Sequence, residues 1–299
     1  MLTGIKAAVI GGDARQLEVI RKLTELNATL FLVGFDQLDH GFTGAKKVDL
    51  DELPLSELHA IILPVSGSGP NGEIETIFSN KKISLTEELL KQTNTSCTVY
   101  SGITNDYLTK CTKALNRSHI KLFERDDVAI YNSIPTVEGT IMMVIQHTDT
   151  TIHQSNIMVL GFGRVGMSVA RTFASLGGHV SVGARKSEHL ARITEMGFQP
   201  FYLDDLEQQV DQIDVCINTI PAQIVTAEVI AKMPSHTLII DLASKPGGTD
   251  FRFAEKRGIK ALLAPGLPGI VAPKTAGKII AKVLTQLLIA DYKGKGQGK

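Results

Sequence analysis

The chain has 299 residues, with 31 Lys plus Arg against 31 Asp plus Glu and a formal net charge of +0. That length favours two compact units over one, and the even charge balance argues against the uniformly basic surface that binding to nucleic acid requires. Hydrophobic residues at 43% and charged residues at 21% are ordinary globular values, which excludes wholesale disorder, collagen-like repetition and a mini-protein scaffold.

The opening MLTGIKAAVIGGDARQ shows no charged leader, apolar region and cleavage site in succession, and no apolar run approaches the roughly 18 to 20 residues that span a bilayer. A cytosolic protein without a membrane partner is expected. Cys97, Cys111 and Cys216 are odd in number, widely spaced and without a CxxC or a nearby His pair. They are expected in the core, with no disulfide or metal site.

Two stretches repeat one grammar of apolar strand, glycine turn, helix-period segment and strand, which predicts parallel βαβ units. In the first half the strands fall at 5–10, 29–33, 60–65, 98–101 and 120–123, near-continuous in Val, Ile, Leu and Ala as befits strands covered on both faces. A helix over 14–26 carries Leu17, Ile20, Leu23 and Leu26 as its buried stripe. Residues 66–80, with Gly67, Gly69, Pro70 and Gly72, read as a mobile loop at the end of the third strand, where open α/β sheets bind ligands. Ser66 there and Ser101 at the end of the next strand are substrate-binding candidates.

A helix opened by Pro135 and continued by Ile141, Met142, Val144 and Ile145 predicts the connection between domains, over 135–152. The second half gives strands at 157–160, 179–182, 200–202, 215–219, 238–241 and 261–263, enough for a dinucleotide domain over 153–272. The run 264–273 is too rich in Pro and Gly for a helix and reads as a hinge or a substrate contact. Past it, 273–291 forms a long amphipathic helix expected to pack back on the first domain, 1–134, and the tail from Lys293 to Lys299 is expected to fray.

The strongest chemical signal is Gly161-Phe162-Gly163-Arg164-Val165-Gly166, between the strand at 157–160 and a helix with Val169, Phe173 and Leu176. Gly161 permits the tight turn, Gly163 lets the backbone approach a pyrophosphate, Gly166 lets helix and strand pack closely, and the helix N-terminus offers its free N–H groups. About 20 residues on, where a carboxylate would take the ribose 2′-OH of NAD, stand Ala184, Arg185, Lys186 and Ser187. Two cations and a hydroxyl favour the 2′-phosphate of NADP. The turn Thr219-Ile220-Pro221 and the pair Leu242-Ala243 lie on the same sheet edge and complete the cofactor candidates. A second turn, Gly11-Gly12-Asp13-Ala14-Arg15, lacks the third glycine, and Asp13 at its N-cap occupies the N–H groups and repels a phosphate, so it reads as a capped structural turn. Arg15 beside it is a candidate ligand for a carboxylate. Arg125, Asp126, Asn132, Ser133, Thr136 and Glu138 cluster between 123 and 138, either around a small charged substrate or as a salt-bridge network.

The motifs GGDARQ, VGFDQLDHGFTGA, KLFERDDVAIYNSIPTVEGTIM, GFGRVGM, SVGARKSEHLARITEMGF, INTIPA, DLASKPGGTDF and LLAPGLPGIVAPKTAG closely resemble the family of dipicolinate synthase A subunits of spore-forming bacteria, over nearly the whole chain. The resemblance implies NADP-dependent oxidation of dihydrodipicolinate to dipicolinate in the mother-cell cytosol, with the flavoprotein-like B subunit of dipicolinate synthase as partner and self-association as in similar dehydrogenases. The implied fold class is α/β, two doubly wound parallel-sheet domains, flavodoxin-like at the N-terminus and Rossmann at the C-terminus. That layout is also similar to 2-hydroxyacid and alanine dehydrogenases. The chain departs from the hydroxyacid pattern in having no plainly placed His with a carboxylate partner near its C-terminal third; His236 stands in an approach to a strand rather than at the site edge and reads as a surface residue.

Aromatisation of a dihydropyridine supplies driving force that forming a carbonyl lacks, so the implied reaction asks chiefly for orientation of a planar dianion. Arg15, Arg125, Lys245 and Lys274 are the candidates for its carboxylates, with Thr136 beside them. Glu138 or Ser244 would assist proton loss, and Lys274 joins them in the catalytic set. Two other readings stay open: a catalytically silent NADP(H)-binding scaffold or sensor, and a 2-hydroxyacid dehydrogenase.

Overall fold

The computed structural model describes residues 1–39 and 41–296. The chain divides into two compact units, Met1–Ala129 together with the chain from Pro273, and Ile130–Ala272.

The first unit opens with β1 (Lys6–Ile10), α1 (Ala14–Glu25), β2 (Thr29–Val33), β3 (Ala45–Lys47) and β4 (Ala60–Ile62). It continues through β5 (Glu73–Ile74), β6 (Ile83–Ser84), α2 (Glu87–Lys91), β7 (Thr98–Ser101), α3 (Asp106–Ala114) and β8 (His119–Lys121). The strands foreseen in the sequence stand in the parallel order β2-β1-β4-β7-β8, the flavodoxin-like arrangement, and β3 adds a sixth strand outside β2. Alternate strand residues face opposite sides of a sheet. Ala7, Val9, Leu30, Leu32 and Ile62 therefore belong to one core cluster, and Ala8, Ile10, Val33, Ile61 and Val99 to the other. Both faces are covered, which explains the absence of polar alternation in these strands.

The chain leaves this unit through α4 (Asp126–His147) and enters the second unit: β9 (Asn156–Leu160), α5 (Arg164–Ser175), β10 (His179–Ala184), α6 (Ser187–Glu195), β11 (Gln199–Tyr202) and α7 (Leu206–Gln209). It completes that unit with β12 (Val215–Asn218), α8 (Ala227–Lys232), β13 (Leu238–Asp241), α9 (Phe251–Lys256), β14 (Lys260–Leu263) and α10 (Leu267–Val271). Its sheet runs β11-β10-β9-β12-β13-β14, all parallel, the dinucleotide-binding order in which the chain crosses from β11 to β12 on the other side of β9.

The last helix, α11 (Pro273–Gly296), belongs to the first unit. It buries Ile280, Ala281, Val283, Leu284 and Leu288 in the core that α1 shares. The Tyr100 hydroxyl donates to Asp291 Oδ2, and the Tyr292 ring meets His59 edge-on with centroids 5.9 Å apart. These contacts dock the far end of α11 on the first sheet. The helix continues through Gly296, beyond the expected fraying point at Lys293; residues 297–299 lie outside the described residues.

Several expectations are corrected. Residues 66–80 are mostly turn and coil, as expected, but hold one short strand, β5, which pairs antiparallel with β6, and backbone bonds at Glu75 and Ile77 tie the segment onto the first glycine turn. The run 264–273 contains α10, because Pro268 sits in the first turn of a helix, where no N–H partner is needed. The helix expected from Pro135 starts at Asp126 and carries Pro135 in its interior. Hydroxyls back-bond to the helix on either side of the proline, Ser133 Oγ donating to Ile130 O at 2.7 Å and Thr136 Oγ1 to Asn132 O at 2.8 Å. At 22 residues, with a mean hydropathy of 1.3 over its most apolar 18, α4 is long and apolar enough to cross a bilayer by length and composition alone. Val137 and Val144 pack in the second unit's core, and Gly139 lies against Leu267, as in the core helix of a domain.

Candidate dinucleotide and substrate sites

The turn from β9 into α5 forms the first part of the site. Gly161 takes φ +97°, and a Cβ there would stand 2.5 Å from Thr219 Oγ1. At Gly166 a Cβ would fall 2.1 Å from the Gly161 carbonyl oxygen, so helix and strand are in closest contact. Gly163 behaves differently. As the N-cap of α5 it carries no capping side chain, the first helical turn holds no acid, and a Cβ on it would meet no protein atom within 4 Å. The protein therefore leaves open the one glycine position a pyrophosphate approaches, together with N–H groups that are not satisfied by a side-chain cap. Phe162 is buried beside it and meets the His189 ring edge-on at 5.9 Å. Arg164 is exposed and Val165 half-buried on the first turn.

Next in the path is the end of β10. Ala184 is buried, whereas Arg185, Lys186 and Ser187 are exposed at the start of α6. The nearest carboxylate is Glu188, whose Oε1 lies 3.7 Å from Lys186 Nζ. Screening by solvent makes such an exposed pair weak, and both basic side chains remain available to an anion.

The ends of β12 and β13 are braced by two buried side chains that the sequence did not single out as site residues. Asn218 is fully buried, accepts from Ile220 N at 2.9 Å and donates to Ile220 O at 3.1 Å, shaping the Thr219-Ile220-Pro221 turn. Thr219 Oγ1 donates to Leu160 O at 2.8 Å, joining that turn to the glycine turn. The fully buried Asp241 carboxylate accepts from Ala243 N at 3.0 Å, Gly248 N at 2.7 Å and Thr249 Oγ1 at 2.7 Å. These bonds bend residues 242–249 over the strand end and leave Ser244 and Lys245 exposed on the bend. Beneath it, burial first and the Asp241 charge second push the Cys216 thiol up to about 12. The available signal for Asp241 was a carboxylate closing an otherwise apolar strand just before a Gly-Gly-Thr run. Donors two to eight residues further along the same turn decide its role, and periodicity does not reveal them.

In the first unit, the glycine turn is filled by the chain itself. Gly12 N donates to Glu75 O at 2.8 Å, Ile77 N donates to Gly12 O at 3.1 Å, and a Cβ at Gly11 would strike the Glu75 carbonyl at 2.6 Å. Asp13 caps α1 by accepting from Arg15 N at 2.9 Å and also binds the Arg15 guanidinium. Burial alone would raise its carboxyl, but hydrogen bonds and charge from Arg15 outweigh that and hold it below the ordinary value. Arg125 makes a matching pair with Asp127.

The remaining candidates are spread over both units. Ser66 is exposed at the end of β4. Ser101 is 1% exposed and pairs with His119 Nε2 at 2.8 Å, so it joins β7 to β8 and presents nothing to a substrate. Thr136 spends its hydroxyl proton on the helix backbone, and Glu138 is exposed on α4. Lys274 lines a groove of about 650 Å³ between α1 and α11, with Glu18, Arg21, Lys278 and Lys282 among its walls. His236 pairs with Asp214 at 3.1 Å on the surface before β12 and β13, at the sheet edge opposite the glycine turn.

Residues 6–123 match the N-terminal domain of the dipicolinate synthase A subunit. Residues 136–296 match the alanine dehydrogenase/PNT C-terminal domain, a domain that binds a nicotinamide cofactor. The A subunit of dipicolinate synthase from Bacillus subtilis (strain 168) is 62% identical over 288 residues, 96% of this chain and 97% of that protein. The crystal structure of the A subunit from Bacillus halodurans superposes with a TM-score of 0.95 at 64% identity, covering 96% of this chain and 99% of that one. The crystal structure of the corresponding Bacillus subtilis protein gives 0.96 at 61% identity, covering 98% and 99%. With near-complete coverage at this identity, and with the glycine turn built as a dinucleotide domain requires, the chain belongs to the family of dipicolinate synthase A subunits.

Proposed function

We propose that this chain oxidises dihydrodipicolinate to dipicolinate with NADP as hydride acceptor, together with a partner subunit. The observation that carries the reading is the uncapped, acid-free N-terminus of α5 with Gly163 open to a ligand, followed at β10 by Arg185, Lys186 and Ser187 in place of a ribose-binding carboxylate. When bound, the cofactor would supply a hydride acceptor for the substrate ring, with the accompanying proton released to solvent or to a base.

The chain's own residues supply binding and orientation. The amides of Arg164, Val165 and Gly166 hold the pyrophosphate, and Arg185 and Lys186 hold the 2′-phosphate through charge-assisted hydrogen bonds. Asn218 and Asp241 fix the two strand-end turns through the hydrogen bonds already described. Arg15, Arg125 and Lys245 bind the carboxylates of the substrate, with Glu138 or Ser244 assisting loss of the proton. Because the product ring is aromatic, positioning carries most of the catalytic burden.

The test is to mix the purified chain with NADP and freshly generated dihydrodipicolinate, with and without the partner subunit, and follow the near-ultraviolet absorbance of the reduced nicotinamide. Growth of that band together with dipicolinate supports the reading. Product from this chain alone also removes the silent-scaffold alternative, and no product under either condition contradicts the proposal.

A further inference from the structure

Arg15 and Arg125 are held in the same way, by an aspartate two residues distant in sequence. Arg15 Nε donates to Asp13 Oδ1 at 2.9 Å and Oδ2 at 3.0 Å, and its Nη2 to Oδ2 at 2.5 Å. Arg125 Nε donates to Asp127 Oδ1 at 3.0 Å and its Nη2 to Oδ2 at 2.9 Å. A guanidinium offers two bidentate edges, one formed by Nε and Nη2 and the other by Nη1 and Nη2. In both arginines the aspartate takes the first edge. Among the described residues neither Nη1 has a partner. Both residues follow strands of the first sheet, β1 and β8, at the edge where open α/β sheets bind ligands.

We infer that Asp13 and Asp127 are positioning residues that lock these guanidiniums with the Nη1/Nη2 edge presented to the carboxylates of the substrate. The inference rests on the carboxylate-binding role proposed above for the two arginines. Two opposing effects decide its sign. An aspartate beside each arginine reduces its net charge, but in a solvent-like dielectric the repulsion on an incoming carboxylate is weak. Freezing a free arginine side chain on binding costs more in rotamer entropy than that repulsion, and the aspartates have met that cost before the substrate arrives. Preorganisation therefore outweighs the repulsion. The shifts agree with tight pairing: hydrogen bonding to Arg125 holds the Asp127 carboxyl down, and its guanidinium is raised in turn.

The experiment compares the full chain with Asp13→Ser and Asp127→Ala, alone and together, reconstituted with the partner subunit. Serine still caps α1 but is too short to bracket the guanidinium, and Asp13→Asn serves as a conservative variant that keeps one acceptor. Calorimetry with pyridine-2,6-dicarboxylate and NADPH is read beside KM and kcat. The expected result is a roughly five- to tenfold weaker dicarboxylate Kd and higher KM for each single variant, with partial recovery in Asp13→Asn. NADPH affinity and kcat should remain near wild type. Unchanged or tighter dicarboxylate binding in the variants, with a wild-type chain that binds and turns over its substrate, overturns this inference alone. A wild-type chain that takes up no dicarboxylate overturns it together with the reading on which it rests.

Discussion

Gly277 of α11 lies against Arg15 of α1 so closely that a Cβ on the glycine would stand 2.5 Å from the Arg15 carbonyl oxygen and 3.0 Å from its Cα. The helix carrying the C-terminal part of the chain is thereby seated on the backbone of a proposed substrate ligand. Glu18 Cβ would lie 2.9 Å away as well, and neither the Arg15 backbone nor a Cβ can rotate out of the way. Gly277→Ala is therefore expected to destabilise the first unit by about 1–3 kcal/mol, seen as a lower thermal midpoint, and to raise KM for the dicarboxylate by displacing Arg15.

The two glycines at the start of α5 separate folding from cofactor binding. Gly166→Ala places a methyl 2.1 Å from the Gly161 carbonyl oxygen and should lower the unfolding midpoint markedly. Gly163→Ala meets no protein atom, so its midpoint should match wild type while NADPH binding weakens at least tenfold. Equal NADPH affinity in Gly163→Ala and wild type would count against a pyrophosphate at this turn.

Docking of α11 depends on the buried Tyr100 hydroxyl, which donates to Asp291. Desolvation, reinforced by that carboxylate, raises the phenol far above its usual range, so it stays a donor at all working pH values. Tyr100→Phe leaves Asp291 without this donor and should cost about 1–3 kcal/mol, measured as a shift in urea midpoint at constant slope. An unchanged midpoint would mean that the hydrophobic contacts of α11 suffice.

Acid should destabilise the first unit in two stages. His119 sits beside Ser101, Lys121 and Glu124; burial first and the Lys121 charge second lower its pKa from 6.5. The folded state thus disfavours the protonated ring. Above about pH 6.5 the ring is neutral in both states and contributes no pH dependence. Below it the unfolded chain takes the proton first, and stability falls. Asp13 and Asp127 add a second loss at lower pH, because their carboxyls are held below 3.8 in the fold and stabilise it only while ionised. His119→Gln should flatten the first stage and leave the second, as read from urea midpoints between about pH 2 and 8.

Much of this architecture is legible in the sequence because local chemistry and tertiary structure agree. The three glycines of 161–166 each serve a separate geometric need, and strands such as 29–33 and 238–241 are apolar throughout because helices cover both faces. The misreadings have physical causes. β3, Ala45-Lys46-Lys47, is an edge strand with little to bury, so no apolar run marks it. β5 and β6 have two residues each and are held by pairing with each other rather than by propensity. At α4 the proline offered a helix start, whereas Asp126 and Asp127, acids suited to a first helical turn, mark the true one. The bracing roles of Asn218 and Asp241 depend on hydrogen bonds within the turns that follow them, whose folded shape hydrophobic periodicity does not report. Ser101 looked available at a strand end, and only the packing of β7 against β8 shows that it is enclosed.

The central claim is best tested by calorimetric titration of NADPH and NADH into the wild-type chain and an Arg185→Ser/Lys186→Ser variant. The account predicts tighter uptake of NADPH than NADH by wild type, and loss of that preference in the variant through about a ten- to hundredfold weakening for NADPH alone. Uptake of neither nucleotide, or a preference for NADPH that survives both substitutions, would contradict it.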